Sequence, residues 1–226
     1  MGRELISVSE MVAFVPSLGT VLLWDDFEKV FKWTGFGSPA GYTVEKSQLK
    51  VWRDDYSMRF LTATPAAGQK ASAGANFYGP INPGKKGFID FFFYFPLWAN
   101  TDLVSWKLFF TDGVRYRYLG IRYDQSNYKL QYVNSAGVWA DVPGGAVKLY
   151  EAAWHRLTTD FNFLDDRYGL FALDAFQVDL SALSSYNIPL VSNMRAYHEL
   201  SVQSKVDKIG ELFVDDFYMR AVQYGK

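Results

Sequence analysis

The residues best equipped for chemistry in this 226-residue chain stand at alternate positions of short aromatic runs. Asp90, Phe92 and Tyr94 share one parity in the run 88–95, and Lys107 and Phe109 share one in 105–111. Tyr116, Tyr118 and Arg122 follow, then Lys129 and Gln131. Successive side chains of a strand point to opposite faces, so each set belongs to one face. Aromatic rings receive the C–H faces of sugars, while Asp, Arg, Gln and Lys fix hydroxyl groups. The same residue types also mark protein contacts. A third reading makes this face part of the core, covered by a loop or by the N-terminal segment. The three readings stand side by side, with Asp90, Phe92, Tyr94, Lys107, Phe109, Tyr116, Tyr118, Arg122 and Gln131 as the candidate ligand-binding sheet face.

The opposite parity says what positions them. Ile89, Phe91, Phe93 and Phe95 make an unbroken apolar face, as do Trp106, Leu108 and Phe110, and then Leu119, Ile121 and Tyr123. Alternation with turn residues between runs is the strand pattern. Strands are expected near 20–28, 48–53, 57–64, 73–78, 87–95, 104–111, 114–123, 127–133, 154–164, 167–173, 194–205 and 210–222. Asp112-Gly113 predicts a tight hairpin, and Pro143-Gly144-Gly145 reads as a turn. Helix is expected only weakly, at Ser9–Leu18 and Leu180–Tyr186. Two acidic-aromatic runs, Val21–Glu28 and Leu212–Tyr218, bracket the chain. The simplest geometry lays them side by side as first and last strands and brings their carboxylates together.

Composition narrows the function. Hydrophobic residues make up 49% of the chain, enough for one large core without staples. There is no cysteine, which excludes disulfides, thiolate metal sites and a cysteine nucleophile. Lys and Arg number 23 against 24 Asp and Glu, so the basic excess of a nucleic-acid binder is missing. No run approaches the roughly 20 apolar residues of a membrane span. Glu4 and Glu10 interrupt the stretch a secretory signal needs, so cytoplasmic synthesis is expected, with a virion surface as one destination. The two histidines, His155 and His198, have no Ser or Cys near them in a nucleophile setting. His155 reads as a partly exposed strand-end residue, and His198 as a core or groove residue.

The order of features resembles a known superfamily. A Trp-Asp-Asp-Phe-Glu strand at 24–28 is followed by Trp33, then by Leu49-Lys50-Val51-Trp52. A Gly-Phe-Ile-Asp-Phe-Phe-Phe-Tyr-Phe strand at 87–95 comes next, then Asn-Tyr-Lys-Leu-Gln-Tyr at 127–132, Trp154-His155-Arg156-Leu157, and a closing Phe213-Val214-Asp215-Asp216-Phe217. Residues 20–222 thus resemble concanavalin A-like jelly-roll domains, the superfamily of laminin-G-like modules, lectins and carbohydrate-binding modules. The resemblance implies an all-β fold of two antiparallel sheets in a jelly-roll sandwich, one sheet concave, with ligands held there or at a loop edge. It also implies a structural calcium near the first and last strands, which by position would use Asp25, Glu28, Asp215 and Asp216. The bland reading of these acids is charge on edge strands that discourages strand addition. No other cofactor is called for. Glucan-cleaving members carry Glu-x-Asp-x-Glu on one strand. The strand here that most resembles it, 88–94, keeps Asp90 and places aromatics at both glutamate positions. No enzyme activity is expected.

The organisation expected is an N-terminal extension over 1–19 and a single β-sandwich domain over 20–226. The first functional reading is a non-catalytic interaction protein, a structural subunit of a large assembly such as a virion, decorating a capsid or associated with a tail. In it Val12, Phe14 and Val15 dock on a neighbouring subunit, and homo-oligomers are expected. The alternative is a carbohydrate-binding module or lectin that takes glycans on the aromatic face.

Overall fold

The computed structural model describes residues 19–29, 31–38, 40–63, 68–76, 85–111, 115–163, 165–189 and 197–223. Among them there is no helix, and sixteen strands form two antiparallel sheets. In chain order these are β1 (Gly19–Asp25), β2 (Thr34–Ser38), β3 (Thr43–Ser47), β4 (Ser57–Leu61), β5 (Lys70–Asn76) and β6 (Lys85–Tyr94). They continue with β7 (Thr101–Thr111), β8 (Arg115–Asp124), β9 (Lys129–Val133), β10 (Trp139–Ala146) and β11 (Trp154–Asn162). The last are β12 (Arg167–Leu173), β13 (Phe176–Asp179), β14 (Tyr186–Pro189), β15 (Tyr197–Ser204) and β16 (Glu211–Gln223).

The first sheet has the order β13-β12-β11-β6-β16-β4-β3, with β1 also on β16. The second has the order β10-β9-β8-β7-β15-β5-β2, with β14 also on β8. The first and last strands do pair, Trp24 opposite Tyr218 and Asp25 opposite Phe217. Strand β16 pairs with β4 through Glu211–Val214 and with β1 further along, so two short strands share one edge of it. The register against β6 shifts between Asp215 and Tyr218, where Asp216 takes a φ of 49°. That is a bulge, and it re-aims the Asp215 carboxylate.

The inward parity is as the alternation implies. Ile89, Phe91, Phe93, Trp106, Leu108, Phe110, Leu119 and Ile121 are all buried in one continuous core cluster. Rings of the two sheets meet directly, Trp106 with Phe161 at 6.3 Å and Phe110 with Phe163 at 4.7 Å. Tyr168 of β12 reaches across this layer into the second sheet. Its hydroxyl accepts the Gly120 N–H at 3.0 Å and faces the carbonyls of Val133 and Gly120 at 2.9 and 3.1 Å.

Several elements differ from expectation. Residues 48–55 form a bent loop where a strand was expected, because a carboxylate on another strand claims two of their N–H groups, as described below. Strands β2, β3, β10 and β14 are too short or too irregular in sequence to show alternation, and β13 alternates over only four residues, Phe176 and Val178 facing the core. The Pro143–Gly145 turn lies inside β10, as an irregularity between Asp141 and Ala146. Residues 180–186 hold turns and a lone bridge from Ser184 to Arg167, with no helix. The expected element at Ser9–Leu18, the hairpin tip at Asp112-Gly113 and the contact residues Val12, Phe14 and Val15 lie outside the described residues.

Candidate functional site

The sheet face expected from parity divides in two. Asp90, Phe92 and Tyr94 lie on β6 in the first sheet, whereas Lys107 and Phe109 (β7), Tyr116, Tyr118 and Arg122 (β8) and Gln131 (β9) lie in the second. Each set points away from the common core, so the two look out from opposite sides of the sandwich. Parity separates inside from outside; it carries no information about which sheet a strand joins.

On the first sheet the outward face is covered around β6. Phe92 and Tyr94 are only 6% and 7% exposed. The indole of Trp52 lies flat on Phe92, ring centres 4.5 Å apart and 15° from parallel, and Trp154 packs on Tyr94 at 5.5 Å. Asp90 is held bidentately by Arg156, Nε to Oδ1 at 2.9 Å and Nη2 to Oδ2 at 2.5 Å. Trp52 and Trp154 thus cover the outward rings of β6.

The acidic strand ends explain how the cover is fixed. Asp215 Oδ2 accepts the N–H groups of Trp52 and Arg53 at 2.8 and 3.2 Å, and its Oδ1 accepts that of Asp216. Burial nevertheless pushes its carboxyl up to about 7, against the pull of those donors. Glu28 Oε1 accepts Asp55 N–H and Tyr56 N–H at 3.0 and 2.7 Å. Asp25 takes the Phe27 N–H on one oxygen and the Trp33 indole N–H on the other. Asp216 faces Arg53 at 3.7 Å. Calcium asks for six to eight convergent oxygens. Among the described residues no group of three or more Asp, Glu, His or Cys is arranged to hold a metal. The donor set therefore does not fit calcium: Asp25, Glu28 and Asp215 bind backbone N–H groups, and Asp216 binds a guanidinium.

The second sheet carries a different surface. Tyr118, Phe109 and Tyr197 stand on the adjacent strands β8, β7 and β15. Their rings stack in a row, 4.6 and 4.5 Å between centres and within 13° of parallel. Tyr116 stacks on the same Phe109 at 5.8 Å. Next along β15 and β7, Glu199 sits between two ammonium groups, Lys70 Nζ at 2.6 Å and Lys107 Nζ at 3.3 Å, and is only 5% exposed. Ser105 and Ser201 share a hydrogen bond of 2.6 Å one step further. On the other flank Arg122 donates to Gln131 Oε1 at 2.7 Å and lies over the Trp139 ring at 4.5 Å. Gln131 in turn donates to Asp141, which also takes Lys129. Gly120 makes room here: a Cβ would come within 2.9 Å of Val133 and 3.1 Å of Trp139 and Tyr118.

Burial tunes these groups. The Lys107 ammonium falls below the ordinary lysine range because desolvation outweighs Glu199. Tyr116, Tyr118 and Tyr197 are all raised, chiefly by desolvation, so their hydroxyls stay protonated. Arg122 is lowered by desolvation.

Six of the nine expected face residues thus come together, and the sequence reading missed Tyr197, Glu199, Lys70, Trp139 and Asp141. The clue for two of them was present. Residues 197–203 alternate, with Tyr197, Glu199, Ser201 and Gln203 outward and His198, Leu200 and Val202 inward. The histidines stand apart from this face. His155 is buried rather than partly exposed, bonded to Asp174 at 2.6 Å and the Tyr150 carbonyl at 2.8 Å. His198 sits between the rings of Trp33 and Phe217, and burial drives it down to about 3, so it is neutral.

No family model and no curated protein matches the chain. Solved structures do. A carbohydrate esterase from Shiga toxin-encoding bacteriophage phi24B superposes with a TM-score of 0.58 at 15% identity, covering 91% of this chain and all 100% of that one. The chain is also similar to an endo-β-1,4-glucuronan lyase from the fungus Trichoderma reesei, TM-score 0.54, 13% identity, 91% and 96% covered. Cellulose-induced protein Cip1 gives 0.54 and 13%, with 90% and 99% covered. The chain has the concanavalin A-like jelly-roll fold. At such identities the likeness is one of fold, and a concanavalin A-like fold hosts many functions. Among the described residues no helix is long and apolar enough to cross a membrane.

Proposed function

We propose that this protein is a glycan-binding module and that it takes its ligand on the outward face of β7, β8 and β15. The observation that carries this is the row Tyr118–Phe109–Tyr197 set against the Lys70–Glu199–Lys107 cluster on the same sheet face, Lys70 coming from the neighbouring β5. The outward edges of the stacked rings offer apolar contact to the C–H surfaces of a sugar. Tyrosine hydroxyls, Lys107, Arg122 and Gln131 offer donors and acceptors to its hydroxyls. Because these polar groups already hold one another in place, binding freezes few side chains. Burial keeps the tyrosine hydroxyls protonated, so they can donate as well as accept hydrogen bonds. The three similar structures, a carbohydrate esterase, a glucuronan lyase and a cellulose-induced protein, support a carbohydrate context. The reading as a virion subunit draws no support from the comparisons, and its contact residues lie outside the described ones.

The test is a glycan array on the intact protein, followed by titration of the best ligand into Tyr118→Ala and Tyr197→Ala. Loss of affinity in both, with melting temperature held, is the expected result. Undiminished binding in both would remove this face from consideration.

A further inference from the structure

On the opposite side of the sandwich, Trp52 makes a surface that the covering of Phe92 alone does not require. The loop 48–56 is fastened at two points, by Asp215 through the N–H groups of Trp52 and Arg53 and by Glu28 through those of Asp55 and Tyr56. One face of the indole lies flat on Phe92, and the side chain still keeps 44% of its surface in solvent. Trp154 stands beside it, 6.2 Å away and tilted by 60°, so that platform and wall make a corner. Arg156 borders the same ring stack, its guanidinium 5.7 Å from the centre of Phe92. Its Nε and Nη2 hold Asp90, an arrangement that leaves Nη1 out of the pair, and the side chain is 44% exposed. Lys50 lies over Tyr94 on the other side, at 5.4 Å.

One face of Trp52 serves the fold by covering Phe92, and the surface that stays exposed makes an aromatic anchor of the kind typical of binding sites. The size of the patch selects the occupant. A specific protein interface takes about 800 Å² from each partner, whereas the apolar surface here is a single indole hemmed in by charged groups. We propose that Trp52, Trp154 and Arg156 form a second sugar subsite, independent of the β7–β8–β15 face, which accepts one neutral pyranose ring. The C–H face of the sugar lies on the Trp52 indole, and its hydroxyls meet the Nη1 edge of Arg156, which Asp90 holds in place. The chain is then two-faced and can bridge two glycan strands.

The test titrates the intact protein calorimetrically with neutral hexasaccharides of β-1,4-glucose, β-1,3-glucose, β-1,4-mannose and β-1,4-xylose. Wild type, Trp52→Ala, Tyr118→Ala and the double variant are compared. Wild type should show two sites per chain. Trp52→Ala should weaken one of them by roughly tenfold or more, and Tyr118→Ala should remove the other. A Trp52→Ala protein with unchanged stoichiometry and affinity overturns the second subsite, and loss in Tyr118→Ala would then leave the first face standing. The reverse pattern, a silent Tyr118→Ala and a Trp52→Ala protein that binds nothing, overturns the first face and keeps this one. Absence of binding to every hexasaccharide in wild type overturns both. If Trp52→Ala does not fold, Trp52→Phe keeps a ring on Phe92 with a smaller platform. A several-fold weaker site is then expected, and an unaltered one refutes the proposal. Self-association of wild type in light scattering that Trp52→Ala abolishes would make Trp52 a chain–chain contact and overturn the sugar reading.

Discussion

Replacing Glu199 by Gln keeps the shape of the side chain and removes the one negative charge between two lysines. The structure sets the size of the effect. Glu199 is nearly buried, while the Lys107 and Lys70 side chains are 19% and 32% exposed. Breaking a fully buried pair costs about 3–5 kcal/mol, and an exposed one less than about 1. For this half-shielded cluster a loss of ~2–3 kcal/mol follows. The pH dependence gives a sharper check. Lys107 is already depressed by burial, and Glu199 is the first of the influences that hold it up. Without that carboxylate the depression deepens. A base whose folded pKa lies below its unfolded value binds fewer protons when folded, so stability climbs with pH across the interval between the two values. Wild type should climb gently toward alkaline pH and Glu199→Gln more steeply, so the deficit at neutral pH narrows by about pH 9.5. Measurements stop there because the raised tyrosines Tyr116, Tyr118 and Tyr197 act in the opposite sense once unfolded tyrosine begins to ionise near 10. Urea unfolding at neutral pH and near pH 9.5 supplies both numbers. A variant within about 0.5 kcal/mol of wild type, or a deficit that does not narrow, refutes the reasoning.

Tyr168→Phe should destabilise by ~1–3 kcal/mol, because it strands the buried Gly120 N–H and takes a donor from the Val133 and Gly120 carbonyls; a neutral result in chemical denaturation would mean the hydroxyl does not tie the sheets. Burial pushes the Asp215 carboxyl up to about 7 from an ordinary 3.8, so between those values the folded state holds a proton that the unfolded chain releases. Stability should therefore fall as pH rises between those values, by up to ~4 kcal/mol, and Asp215→Asn should flatten the profile of melting temperature against pH; an unchanged slope would place the effect elsewhere.

What the sequence made legible follows from how each feature is encoded. The pairing of β1 with β16 and the inward faces of β6, β7 and β8 rest on long alternating runs, where burial on one side selects a residue type at every second position. Short edge strands carry too little of that record: β2 reads Thr-Gly-Phe-Gly-Ser, and β13 alternates over just four residues. The 48–53 segment alternates as a strand does, yet Asp215, far away in sequence, accepts the N–H groups of Trp52 and Arg53. Nothing local in the segment announces that competitor. The single expected ligand face failed for a related reason, since neighbours within one strand fix parity and only long-range pairing fixes the sheet.

The acids at the strand ends show the same limit from the side of chemistry. A carboxylate with several oxygen-ligand neighbours around a cation and one with several N–H donors around it meet the same electrostatic need. Each collects positive charge or positive dipole ends to offset its own desolvation. Asp25-Asp26 and Asp215-Asp216 near paired strands are therefore compatible with either outcome. Here the dipoles win, because the chain between β3 and β4 is long enough to bring the N–H groups of residues 52, 53, 55 and 56 to Asp215 and Glu28. In doing so it lays Trp52 on Phe92. The acids expected to grip a metal instead set the angle of an indole, which ties the chemistry of the strand ends to the surface on which the second sugar subsite is proposed.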